Sequence, residues 1–324
     1  MTHAIQFRQF GGPEVLEWVD VDLSAPGNGQ ARVAHTAIGL NFIDTYYRSG
    51  VYPLKLPSGL GSEAAGVVTA VGGGVTHVAV GDRVAYANPP PVQSYSEECV
   101  MDARWLVKLP DAISDETAAA MMLKGWTVWY LFRRTYALQP GDWLVLYAAA
   151  GGVGLIASQW AKRIGARVIG IVGTQAKREL ALAHGCEAVL LADEDIVTAV
   201  KDLTGGAGVP VVYDSVGRDT LNQSLDCLRP LGLMVSFGSS SGTIDALPLN
   251  ELAKRGSLYV TRPTLWSYVT NRAEVEAASK ELFDLVVNGE IRIEVGQRFA
   301  LRDAAEAHRA LEGRRTTGST VLVP

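Results

Sequence analysis

Residues 143–172 read WLVLYAAAGGVGLIASQWAKRIGARVIGIV, and the fold turns on them. Trp143 to Tyr147 is a short apolar run, as expected of a buried strand. Ala148-Ala149-Ala150-Gly151-Gly152-Val153-Gly154 makes a glycine-rich turn, and a helix follows from Val153 to Ile164. Gly165 stands just past Lys162-Arg163-Ile164, where glycine ends a helix because it alone takes the left-handed backbone cheaply. Arg167 to Val172 is the next strand. Strand, glycine turn, helix and strand in this spacing form the unit that cradles a dinucleotide. One glycine permits the tight turn. A missing side chain lets a pyrophosphate approach the backbone, and Gly154 lets helix and strand pack closely. The helix start offers N–H groups and partial positive charge to the anion. Ala149 replaces the usual first glycine, so the motif is an A-x-G-x-x-G variant. Trp143 to Ala161 carries no charge and is long enough to tempt a membrane-spanning reading. Its three glycines, Ser158 and Gln159 favour strand, turn and helix instead.

The same alternation continues outward. Further strands are expected at Ala188 to Leu191, Val211 to Asp214, Leu233 to Phe237 and Leu258 to Val260, six in all, with helices between. That is an α/β, doubly wound parallel sheet. Before it the chain is β-rich: Ala31 to Ile38, Ala64 to Val71, Asp82 to Ala87 and Trp105 to Lys108, with turns around Gly61, Gly66 and Gly81. Such turn density suggests a barrel. After it come a helix from Arg272 to Val287, a strand from Ile291 to Phe299, a helix from Asp303 to Leu311 and a strand from Ser319 to Val323. The expected domains are 1–123 with 263–324, and 124–262.

Composition narrows the class. Lys plus Arg is 29 against 34 Asp plus Glu, a net charge of -5 over 324 residues, and no basic run suits nucleic acid or an anionic membrane. Cys99, Cys186 and Cys227 cannot make a disulfide framework or a four-cysteine zinc site. None of His3, His35, His77, His184 and His308 sits at metal-ligand spacing. The N-terminus shows no charged, then apolar leader, so a cytoplasmic protein is expected.

The second strand ends Val172-Gly173-Thr174-Gln175-Ala176-Lys177-Arg178. An NAD site places an acid there for the ribose hydroxyl. Here Gly173 leaves room, while Lys177 and Arg178 offer charge to a 2′-phosphate, which predicts NADPH. Loops after later strands, at Gly217 and at Phe237-Gly238-Ser239-Ser240, lie where such sheets bind ligands.

Several segments together carry a family likeness: Gly11-Gly12-Pro13-Glu14-Val15-Leu16, Asn41-Phe42-Ile43-Asp44-Thr45-Tyr46, Gly61-Ser62-Glu63-Ala64-Ala65-Gly66, Gly81-Asp82-Arg83-Val84, Ala148 to Gly154, and Val212 to Gly217. On these the chain resembles, over nearly its whole length, the zinc-free, ζ-crystallin-like quinone oxidoreductases of the medium-chain dehydrogenase/reductase superfamily, above all the bacterial NADPH-dependent ones. The likeness implies a GroES-like β-barrel catalytic domain from both chain ends and a Rossmann domain between. It implies NADPH, no zinc, no flavin, a quinone substrate in a metal-free site at the domain cleft, and a homodimer through the Rossmann domain. Asn41 and Ser62 stand where zinc relatives have cysteine and histidine, and neutral amides and hydroxyls are poor zinc ligands. By the same likeness Asn41, Tyr46, Tyr52 and Lys124 belong to the catalytic site. Asn41, Thr127, Tyr130, Gly152, Val153, Pro263, Thr264, Leu265 and Arg314 join Gly173, Lys177, Gly217 and Phe237 to Ser240 on the cofactor. Asp44 and Glu63 read as structural hydrogen-bonders. Ala192 replaces a tyrosine of close relatives at the adenosine end. The rival readings are an NADPH-dependent enone or alkenal reductase and an NADPH-regulated nucleic-acid-binding protein; the charge counts against the latter.

Overall fold

The computed structural model describes residues 2–324. Contacts divide them into two compact units, one running to Trp126 and resuming at Val269–Pro324, the other Thr127–Tyr268.

In the second unit, the described residues form a six-stranded sheet. Its order is Ala188–Leu191, Arg167–Val172, Trp143–Tyr147, Val209–Asp214, Leu228–Ser236 and Tyr259–Thr261. All pairings are parallel. In chain order this is 3-2-1-4-5-6, so the winding reverses between Trp143–Tyr147 and Val209–Asp214. Ligands of such sheets sit beyond the strand carboxyl ends at that reversal. Val145, Ile169, Val212 and Met234 fill the core, with Ile196 and Val200 from the helix Ile196–Leu203. The helix Gly152–Ile164 begins one residue earlier than its apolar period implies and ends at Gly165, with φ +92. The fourth and fifth strands also begin earlier than expected. Val209 pairs with Leu228 ahead of a bulge, so the ladder extends past the apolar runs that marked it. The sixth strand starts at Tyr259, since the Leu258 N–H donates back to the Leu252 carbonyl at 3.1 Å.

In the first unit, seven strands form a sheet ordered Val295–Ala300, Ser319–Val323, Gln30–Leu40, Glu63–Val71, Arg83–Ala87 and Val107–Lys108 among the described residues. The seventh, Glu98–Asp102, pairs with Gln30–Leu40. Gln30–Leu40 also takes the last strand, Thr320 opposite Leu40, which brings the two chain ends into one body. Gly66 is not at a turn. It lies within Glu63–Val71, where a Cβ would run into the Ala34 carbonyl at 2.0 Å. The expected strand at Ile291 begins only at Val295. The N–H groups of Glu290 and Ile291 instead donate to the Leu285 carbonyl, at 2.9 and 3.1 Å, closing the helix Arg272–Val287. Among the described residues, no helix is long and apolar enough to cross a membrane.

Candidate active site and cofactor loops

Asn41 ends the long strand Gln30–Leu40 and caps the helix Phe42–Ser49. Its backbone N–H donates to Asp44 Oδ2 at 2.9 Å, one arm of a capping box. Its side-chain Nδ2 donates to Glu63 Oε1 at 2.7 Å. Glu63 is fully buried and also accepts from the Leu123 N–H at 2.7 Å and from Lys124 Nζ at 2.5 Å. A carboxylate only accepts, so the amide nitrogen must face Glu63, and Oδ1 is the accepting end, which also completes the capping box toward the Asp44 N–H. Gly39 is needed for this packing: a Cβ there would meet Glu63 Oε1 at 2.3 Å and the Ala119 carbonyl at 2.2 Å. Asp44 is equally buried. Burial pushes its carboxyl up to about 7, against the opposing pull of the Asn41 and Tyr95 hydrogen bonds. Lys124, expected among the catalytic groups, spends its ammonium on Glu63, with its side chain 6% exposed.

Tyr46 and Tyr52 meet edge to face, ring centroids 5.3 Å apart, and Tyr47 approaches Tyr52 at 5.8 Å. The Tyr52 N–H donates to the Tyr46 carbonyl at 3.1 Å, tying the loop to the helix. Tyr46 is 9% exposed and Tyr52 is half-buried. Arg314 also lies on this unit, exposed, just after the helix Ala304–Glu312.

The second unit holds the glycine loop. Ala148 takes φ 53, a left-handed backbone without glycine, and its carbonyl accepts the Gly151 N–H at 2.9 Å. Such strain must be held by its surroundings. A Cβ at Gly154 would meet the Ala148 carbonyl oxygen at 2.4 Å and Ala149 Cα at 2.6 Å. Gly152 and Val153 open the helix, which has no side-chain cap and no acid in its first turn. At the end of Arg167–Val172, Gly173 faces open space, and Thr174 caps the helix Gln175–Ala183 by accepting the Lys177 N–H at 3.3 Å. Arg178 is otherwise engaged: it donates to Glu194 at 2.6 Å and to the Val189 carbonyl at 2.9 Å. Lys177 stands in the first turn of that helix, one residue before Arg178. Ala192 lies beside this strand end, its N–H on the Val172 carbonyl at 2.9 Å.

The loops after the fourth and fifth strands are zipped by backbone. Phe237 N–H donates to Asp214 O at 2.8 Å and Ser240 N–H to Ser215 O at 3.3 Å. A Cβ at Gly238 would strike the Ser215 carbonyl oxygen at 2.4 Å, and Gly217 needs φ +98. Ser239 accepts from Arg262 at 3.3 Å. Asp214, which sequence reasoning passed over, organises this corner. It accepts from Val216 N–H, Gly217 N–H, Thr220 and Ser224 at 2.6–3.0 Å. An acid ending an apolar strand was the available signal. Tyr130 stacks on Tyr268, centroids 4.7 Å apart, and the π turn Leu131–Thr135 follows Tyr130, held by Tyr213 O–H on the Leu131 carbonyl at 3.1 Å. Thr127 precedes Tyr130 on the helix Met122–Tyr130, which starts two residues before the expected Lys124. Pro263 and Leu265 are buried and Thr264 is exposed.

These residues fit NADPH: backbone with no room for a Cβ at the pyrophosphate turn, and an open, acid-free strand end beside Lys177. They do not fit zinc. Asn41 turns its nitrogen on Glu63, and the buried Cys99 thiol, pushed up to about 12 by burial, faces Tyr86 and His35. No cluster of three metal-ligating side chains occurs among the described residues.

Two family models match: "Alcohol dehydrogenase GroES-like domain" over residues 27–111 and "Zinc-binding dehydrogenase" over residues 152–283. The chain is 55% identical to a quinone oxidoreductase of Pseudomonas aeruginosa over 326 residues, covering 100% of both. A 2-haloacrylate reductase of a Burkholderia species is 45% identical, over 100% of this chain and 99% of that one. Among solved structures, Escherichia coli quinone oxidoreductase complexed with NADPH superimposes with a TM-score of 0.97 at 51% identity, over 99% of this chain and 100% of that one.

Proposed function

The chain belongs to the quinone oxidoreductases of the medium-chain dehydrogenase/reductase superfamily, and from that membership we propose that it reduces quinones with NADPH and without a metal. NADPH, when bound, supplies the hydride. The observation that carries the reading is the strand end at Gly173, open and free of acid, with Lys177 on the next helix turn. The glycine loop takes the pyrophosphate, and the Gly217 and Phe237 to Ser240 loops continue the cofactor path. Thr127, Tyr130 and Pro263 to Leu265 serve the nicotinamide end, and Arg314 the adenosine phosphate.

A quinone is electron-poor and needs orientation more than activation of its carbonyl. Tyr46 and Tyr52 present flat apolar rings with a hydroxyl each. Asn41 Oδ1 accepts from an N–H or O–H donor of cofactor or product. The reaction consumes one quinone, one NADPH and one proton and yields hydroquinone and NADP. We place the enzyme in the cytoplasm, in keeping with three buried free thiols. We further propose a homodimer through the sheet edge Tyr259–Thr261, where Tyr259 is 60% exposed. Likeness to a 2-haloacrylate reductase favours one second reading, reduction of an activated carbon–carbon double bond.

Initial rates with 1,4-benzoquinone, 9,10-phenanthrenequinone and an enal, each with NADPH or NADH, test this. Quinone turnover with NADPH preferred is expected; enal-only turnover selects the second reading. Lys177→Ala should weaken NADPH about tenfold and leave NADH unchanged, since a charge-assisted contact is worth roughly that factor.

A further inference from the structure

We propose that Tyr95 and His308 are positioning residues for this reaction, holding the Asp44 carboxylate against Asn41. The inference rests on the role given to Asn41 above.

Its basis is a chain of hydrogen bonds with one direction. Arg48 is 2% exposed and donates to Glu312 at 2.6 and 3.1 Å. Its Nη1 also lies 2.9 Å from His308 Nδ1. A guanidinium has no acceptor, so Nδ1 must accept and the imidazole proton sits on Nε2. Nε2 lies 3.2 Å from Tyr95 Oη and donates to it. The Tyr95 O–H then donates to Asp44 Oδ2 at 3.1 Å, the atom that also takes the Asn41 N–H. Tyr95, His308 and Asp44 are all fully buried. Asp44 Oδ1 meets no donor among the described residues, so Oδ2 carries both bonds.

A buried carboxylate is costly unless hydrogen-bonded, and bonds to the ionised form are the stronger ones. The network therefore grips Asn41 best while Asp44 is ionised. The other ionisable groups acting on Asp44 are the Glu63–Lys124 pair, which oppose each other, and Tyr47 on its own helix. Burial brings the Asp44 carboxyl to about 7, so loss of one donor is felt near neutral pH.

The test is the pH profile of quinone kcat/KM in wild type, Tyr95→Phe, His308→Leu and His308→Gln. Removing the Tyr95 hydroxyl should move the acid limb upward by about one pH unit. His308→Leu should move it the same way. Glutamine can accept from Arg48 and donate to Tyr95, so His308→Gln should restore the wild-type limb. Superimposed limbs in wild type and Tyr95→Phe, or an equal loss at every pH, would overturn the proposal. If His308→Leu does not fold, Tyr95→Phe alone decides, because it removes one atom. A second readout separates this inference from the functional reading: the 13C-carboxyl titration of Asp44 without substrate. An upward shift in Tyr95→Phe is expected even if no quinone is turned over, and an unmoved titration refutes the positioning role.

Discussion

At the residue scale, the Glu63–Lys124 pair governs the surroundings of Asn41. Both side chains are nearly inaccessible, at 0% and 6% exposure. Removing one partner strands a buried charge, which costs about 3–5 kcal/mol, whereas removing both is milder. Lys124→Met should therefore destabilise by about 3 kcal/mol in urea unfolding, and adding Glu63→Gln should recover part of it. Additive losses would show that the pair is not coupled. Asn41, Tyr46, Tyr52 and Lys124 were legible as candidates from their segments. Their partners were not, because Glu63 lies 22 residues from Asn41 and 61 from Lys124 along the chain. Residue type says that an amide bonds to something; only the packed neighbours say which of its atoms is left for a ligand.

At the element scale, two glycines separate folding from binding. A Cβ at Gly154 strikes backbone at 2.4 Å, which cannot give way, whereas at Gly173 it meets nothing within 4 Å. Gly154→Ala should lower stability by about 2 kcal/mol and weaken NADPH at least tenfold, as overpacking usually costs 1–3 kcal/mol. Gly173→Ala should leave the urea midpoint unchanged, so any NADPH weakening there reports crowding of the ligand alone. The glycine loop was readable because strand, turn and helix are local patterns. Strand ends were read less well: Val209–Asp214 and Leu228–Ser236 lengthen through pairing with each other, and Ile291 is drawn into a helix C-terminus. Those choices depend on which neighbour supplies the hydrogen bond.

At the scale of the whole molecule, buried titratable groups set the response to acid. Burial lowers His35 to about 4 and His308 to about 3. A depressed histidine adds stability above its unfolded value of 6.5, and this is lost as pH falls through the folded value. Asp44, raised from 3.8 to about 7, has the opposite sign: its contribution is present at low pH and is lost as pH rises through about 7. His35 donates to the Ser96 carbonyl at 2.7 Å and lies 2.8 Å from the Tyr86 hydroxyl, contacts that glutamine can copy. His35→Gln should thus flatten the fall in unfolding free energy between pH 6.5 and 4 by about 3 kcal/mol. An unchanged slope would show that His35 does not titrate with unfolding.

The sequence alone determined the doubly wound sheet, the glycine loop, the acid-free strand end and the family likeness, since each is written in residue type and short spacing. Tertiary structure decided the rest. It turned the nitrogen of Asn41 toward Glu63, bound Arg178 to Glu194, and aligned Arg48, His308, Tyr95 and Asp44. Those partners lie up to 260 residues apart. Hydrogen bonds and buried charges act over a few ångströms of space, and only the folded chain sets which groups share it.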